Sequence, residues 1–120
     1  MNITTGIDIE EIMRIEKLME NPRFITRFFG QQESALFASR KHSAATVTAN
    51  FCAKEAFSKA LGIGLRGLTL RDIQVLRDEQ GKPYFKFGGK LIALMEGRTA
   101  DVSLSHTKKY AAAVVVLYQK

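Results

Sequence analysis

One cysteine, two prolines, two histidines and no tryptophan occur in the 120 residues. A single thiol, Cys52, excludes an internal disulfide framework and fits a reducing compartment; its expected role is that of a small apolar residue on a helix. Two histidines and one cysteine are too few for a zinc site of ordinary spacing. No Ser-His-Asp arrangement or activated cysteine is visible. Long apolar runs are missing too: the longest, Ala111 to Tyr118, cannot span a bilayer and reads as a buried strand. Met1-Asn2-Ile3-Thr4-Thr5 lacks the basic and apolar regions of a secretory signal, so a cytoplasmic protein without a membrane partner is expected. Repeats, low-complexity tracts and linkers are absent, and residues 1–120 are expected to form one domain.

The formal charge is +6, from 18 basic and 12 acidic residues. That balance suits a polyanionic ligand, an acidic protein or nucleic acid without choosing among them. Nucleic-acid binding calls for basic residues interleaved with exposed aromatics, or a known motif. Apart from Arg40-Lys41-His42 the basic residues are scattered, and no nucleic-acid partner is expected.

Residues 2–10 alternate as a strand, with Ile3, Ile7 and Ile9 on one face and Asp8 and Glu10 on the other. Helical spacing follows over 11–20, ended by Asn21-Pro22, then over a short piece carrying Phe24, Ile25, Phe28 and Phe29, then over 31–39. A long helix runs from Ser43 or Thr46 to Leu61, with Gly62 as its stop. A glycine-rich loop, 62–67, matches neither a Walker nor a Rossmann spacing. Strands are expected at 73–76 and 84–87, joined by the turn residues 78–82. After a short helix over 90–96, strands 102–106 and 111–118 close the chain. Helices segregated from hairpin-connected antiparallel strands, with one long helix packed on them, predict an α+β fold.

Two acidic segments carry the chemistry. Asp8 and Glu10 share a strand face, which by itself also describes a solvated edge. Glu55 and Lys59 are spaced i,i+4, which alone describes an ordinary helix pair worth about 0.2–0.5 kcal/mol. The small residues Ala53, Ala56 and Ala60 around that pair imply close approach by a ligand or another backbone. If strand and helix meet, the acids and Lys59 are the parts that hold Mg²⁺ against a phosphate chain. Ser105-His106-Thr107, at a strand end beside Lys108 and Lys109, fits an anion contact. His42 reads as a solvated loop residue.

Gly6-Ile7-Asp8-Ile9, the block from Ala53 to Gly62, Gly81-Lys82-Pro83 and Ser103-Leu104-Ser105-His106-Thr107 follow in order over most of the chain. Together they resemble the small bacterial 4′-phosphopantetheinyl transferases, the holo-[acyl-carrier-protein] synthases. The resemblance implies transfer of the phosphopantetheine arm of coenzyme A to a serine of apo-acyl carrier protein, by a homotrimer with sites between subunits. It implies Asp8 and Glu55 as Mg²⁺ ligands, Lys59 as a catalytic phosphate contact, and Lys41, Gly62, Pro83 and His106 at the coenzyme. Arg14 would meet the carrier protein, and Arg23 and Arg27 would steer its acidic surface. The nucleophile then belongs to the partner, with Glu55 the first candidate for its base.

Two departures stand out. Asn50 precedes Phe51 where the family commonly has arginine, and Lys41 is the residue expected to compensate. Glu10 stands where many small synthases are non-acidic, and is expected to add a third carboxylate to the Mg²⁺ shell. Two rival readings are a basic nucleic-acid module, which leaves the acids unexplained, and a Mg²⁺-dependent hydrolase using the same carboxylates.

Overall fold

The computed structural model describes residues 2–63 and 67–119. β1 (Ile3–Glu11) leads into three short helices, α1 (Ile12–Leu18), α2 (Arg23–Phe28) and α3 (Gln31–Ser39), and then α4 (Ala44–Leu61). A 3₁₀ turn (Leu70–Asp72), the hairpin β2 (Ile73–Arg77) and β3 (Pro83–Phe87), the single turn α5 (Leu91–Leu94), β4 (Arg98–His106) and β5 (Tyr110–Gln119) follow. β1, β5 and β4 form an antiparallel sheet in that order, and β2 pairs with β3 apart from it. The first and last strands are therefore neighbours. Among the described residues no helix is long and apolar enough to cross a membrane.

α4 begins where the Ser43 side chain accepts from the Thr46 amide at 3.4 Å, and ends at Gly62, left-handed at φ 85°. It lies across β1 and β5. The approach to β1 is backbone to backbone, because a Cβ on Gly6 would stand 1.9 Å from the Ala56 carbonyl oxygen. That contact accounts for the small residues of α4. It also decides which face of β1 turns inward: Gly6, Asp8 and Glu10 face the helix, while Ile7, at 66% exposure, faces out with Ile3 and Ile9.

Cys52, Ala53, Ala56 and Phe57 of α4 pack on Ala111, Ala113, Val115 and Leu117 of β5, and Ile73 and Val75 of β2 close the core. A second cluster joins Ile15, Phe24, Phe29, Phe37 and Val47. Between α3, α4 and β2 lies a buried polar knot. Lys54 Nζ donates to Glu33 Oε1 at 2.5 Å and to the Leu70 and Ile73 carbonyls at 2.8 and 2.7 Å. Glu33 also accepts from the amides of Gly30 (3.0 Å) and Val75 (3.3 Å) and from Asn50 Nδ2 (2.9 Å).

Two local expectations shift, and a third falls partly outside the described residues. The helix expected over 90–96 shrinks to one turn, closed in between Gly89 and Gly97, both at positive φ. Pro83 opens β3 opposite Arg77 instead of lying in the turn, a strand end where its missing N–H is tolerated. Of the loop 62–67, Gly64, Leu65 and Arg66 lie outside the described residues.

Gly6→Ala drives a methyl group into fixed backbone rather than a yielding side chain. Its expected cost is about 3 kcal/mol, the upper end for overpacking, read from urea unfolding. An unchanged midpoint would mean that strand and helix do not approach this closely.

Candidate active site

The inward parity of β1 sets Asp8 and Glu10 against the α4 turn that carries Glu55 and Lys59. Lys59 Nζ donates to the Ile7 carbonyl at 2.9 Å and lies 3.4 Å from Asp8 Oδ1. Arg14, one turn into α1, donates to a Glu10 carboxylate oxygen. Glu55 feels the charges of Glu10, Lys59 and Arg14. Three carboxylates and two cations thus share one pocket of charge.

Its balance leans negative. Asp8, only 11% exposed at its side chain, is pushed up to about 6, first by burial and then by the neighbouring Glu10 carboxyl, with Lys59 opposing. Glu55 is also held above the ordinary range, by burial and then by Glu10. Asp8 Oδ2 is buried without a hydrogen-bond partner. Beneath the acids, Cys52 Sγ donates to the Ala111 carbonyl at 3.3 Å, and burial pushes its thiol far up. Cys52 is the inert apolar residue expected. Among the described residues no group of three His, Cys, Asp or Glu side chains is placed to hold a metal ion.

The other expected residues lie around this centre. His106 pairs with Ala111, which pairs with Glu10, so the three form one line across the sheet on a common face. Two interstrand steps put His106 roughly 10 Å from Glu10 by backbone spacing. Lys41 is exposed in the turn between α3 and α4. Gly62 caps α4, and Pro83 sits on the hairpin. Among the described residues none of these four forms a hydrogen bond or ion pair with the acidic group. Arg23 and Arg27 line a cleft of about 420 Å³ with Lys17, Leu18, Phe24 and Phe28.

Sequence reasoning missed the Lys54–Glu33 pair and Arg77. Arg77 Nη2 donates to Asn50 Oδ1 at 2.8 Å, so the position where arginine was missing receives one from β2. A signal was present: Val47, Asn50, Lys54 and Phe57 recur at spacings of three and four, two polar residues on a core stripe.

The site predicts a pH dependence without metal. Asp8 in the fold, at about 6, binds its proton more tightly than at the ordinary 3.8. Its contribution is therefore fully present below pH 3.8 and is lost as pH rises through about 6. In chelator, Asp8→Asn should flatten the fall in melting temperature across that interval; an unaltered profile would count against a strained Asp8.

Residues 4–115 match the family model of the 4′-phosphopantetheinyl transferase superfamily. The chain is 47% identical over 115 residues to the holo-[acyl-carrier-protein] synthase of Clostridium botulinum (strain Eklund 17B / Type B), covering 93% of this chain and 94% of that one. It is 43% identical to the synthase of Treponema denticola, covering 98% of both. Among solved structures, the Neisseria meningitidis synthase superposes with a TM-score of 0.90 at 31% identity, over 97% of this chain and 98% of that one. The Helicobacter pylori synthase in complex with coenzyme A superposes with a TM-score of 0.84 at 31% identity, over 95% and 99%. With its fold, its motifs and these relatives in agreement, this chain belongs to the 4′-phosphopantetheinyl transferase superfamily, among the holo-[acyl-carrier-protein] synthases.

Proposed function

We propose that the chain moves the 4′-phosphopantetheine arm of coenzyme A onto a serine of an apo-acyl carrier protein, with Mg²⁺, in the cytoplasm. The observation that carries the reading is the partnerless Asp8 Oδ2 beside Glu10, Glu55 and Lys59. Half-buried carboxylates held above their ordinary range are the donor set a hard cation relieves. Mg²⁺ commonly takes only one or two carboxylates, with water and phosphate oxygens for the rest, so an incomplete protein cage fits it. Asp8 and Glu55 would hold it, with Glu10 beside them and bonded to Arg14. Bound there, Mg²⁺ supplies charge neutralisation on the coenzyme diphosphate.

The serine Oγ of the carrier attacks the phosphorus that bears the pantetheine. The bond from that phosphorus to the bridging oxygen breaks, and adenosine 3′,5′-bisphosphate departs. The serine proton passes to Glu55, the first candidate for the base. Lys59, exposed at its tip and anchored on β1, stabilises charge on the leaving phosphate. Lys41, Gly62, Pro83 and His106 would serve the coenzyme. Arg14, Arg23 and Arg27 would meet the acidic carrier, with Phe24 and Phe28 adding apolar contact in the same cleft.

A homotrimer with sites between subunits is part of this reading. The outer sheet face, with Ile3, Ile7, Ile9 and Val114 exposed, supplies the apolar surface for it.

Purified chain, Mg²⁺, coenzyme A and apo-carrier protein should give a carrier heavier by one phosphopantetheine. Cleavage of the coenzyme without that gain would indicate a hydrolase instead. Glu55→Gln should lower turnover on the order of a hundredfold or more, the scale for a general base; near-normal turnover removes Glu55 from both its roles. Sedimentation equilibrium should give three times the 13.4 kDa chain mass. Ile7→Asp should shift it toward one; a monomeric parent chain would rule out the shared site.

A further inference from the structure

Of the two strand acids, Glu10 has the closer cation. Its Oε1 accepts from Arg14 Nη2, whereas Asp8 Oδ1 lies 3.4 Å from Lys59 Nζ. The two cations thus stand at separate carboxylates, Lys59 from α4 and Arg14 from α1. Mg²⁺ is commonly satisfied by one or two carboxylates, with water and phosphate oxygens for the rest. Asp8 and Glu55 suffice for that, which leaves Glu10 to its arginine. A third carboxylate on the metal would require the Glu10–Arg14 bond to break.

The backbone at both ends of this bridge is fixed. Glu10 pairs with Ala111 across β1 and β5, and the Ile12 amide, opening α1, donates to the Lys109 carbonyl at 2.8 Å. Ile15 is wholly buried and pins the inner face of α1. Arg14 stands outward, with a side chain 54% exposed against 16% for Glu10. Lys17 and Leu18, three and four residues on, share its face of the helix. Those two line the cleft of about 420 Å³ with Arg23, Phe24, Arg27 and Phe28. Arg14 therefore lies between that cleft and the acids. A guanidinium has five N–H donors, so the bond to Glu10 leaves most of the fork open to a second carboxylate. A free arginine on a helix surface loses rotamer freedom when a partner docks; one already held by a neighbour has less to lose.

We propose that Glu10 is a positioning residue, which holds Arg14 beside the acidic pocket as a preset contact for a carboxylate of the carrier protein. That contact sits at the end of the cleft nearest Asp8 and Glu55. The choice of partner rests on the function proposed above. The order that Glu10 imposes on Arg14 does not.

Two measurements on the full chain test it. Calorimetry with an acidic apo-carrier protein, in chelator and without coenzyme, separates docking from metal and turnover. Glu10→Gln should raise the carrier Kd on the order of fivefold, the scale for immobilising one long side chain. Plain electrostatics has the opposite sign, since removing an acid beside the docking face should tighten an acidic partner. In an Arg14→Gln background the same change should have no further effect. NMR of the free chain should show the Arg14 Nε–H ordered in the parent and loosened in Glu10→Gln. Glu10→Asp keeps the charge but shortens the reach; its Kd should fall between, and it decides if the glutamine variant fails to fold. An unchanged or lower Kd overturns the proposal, as does an equal loss in the Arg14→Gln background or an Arg14 no more mobile in the variant. So does a loss seen only with Mg²⁺ present, which makes Glu10 a metal ligand. A parent that modifies carrier, with docking indifferent to Glu10, leaves the function standing and the positioning role refuted. A parent that orders Arg14 through Glu10, yet neither binds nor modifies carrier, refutes the function and the docking role together.

Discussion

Backbone contact between β1 and α4 at Gly6 governs the rest of the site. Once Gly6 rests on Ala56 and Ala60, strand and helix run in opposite directions from that point. Two residues along an extended strand advance about 7 Å, and four residues back along a helix cover about 6 Å. Asp8 and Glu10 consequently settle over Cys52 and the Glu55 turn. Lys59, within the contact turn, reaches the Ile7 carbonyl. A larger residue at position 6 would lift the strand and pull Asp8 and Glu55 apart together.

Two carboxylates in this chain, one buried and one half-buried, illustrate opposite designs. Glu33 is saturated: its oxygens take an ammonium, two backbone amides and the Asn50 side chain, and the knot locks α3 to α4 and β2. Asp8 has a lysine at 3.4 Å on one oxygen and nothing on the other, with further acids nearby. Burial raises both pKa values, so the direction of the shift does not separate them. Hydrogen-bond satisfaction does. A structural acid is complete without a ligand, whereas Asp8 carries an unmet demand that its own fold does not supply.

Much of this was legible in sequence. Ser43 and Gly62 mark the ends of α4, the alanines mark its close approach, and the parity of β1 puts Asp8 and Glu10 together. Parity does not say which face turns inward, and the isoleucines look like the natural choice. Packing chose the face with glycine, because only it lets the helix descend. The line from Glu10 through Ala111 to His106 depends on pairing the first strand with the last, a contact local patterns do not encode. Lys54 and Glu33, 21 positions apart, look like surface charges until both prove buried. Arg77 was hidden for the same reason, as its partner Asn50 is 27 positions away.

The outward isoleucines bear on the same chemistry. A strand whose inner face carries Asp8 and Glu10 is held against α4 despite repulsion among those acids and Glu55. In the proposed trimer, burying Ile3, Ile7 and Ile9 against neighbouring subunits would brace β1 from behind, stabilising by about 25 cal/mol for each Å² of apolar surface removed from water. A cation among the acids would remove the strain from the other side. In such a trimer, subunit association and metal binding would be thermodynamically linked through this strand. Gly6 placed the acids on one face of β1 and the isoleucines on the other, so one strand would carry both demands.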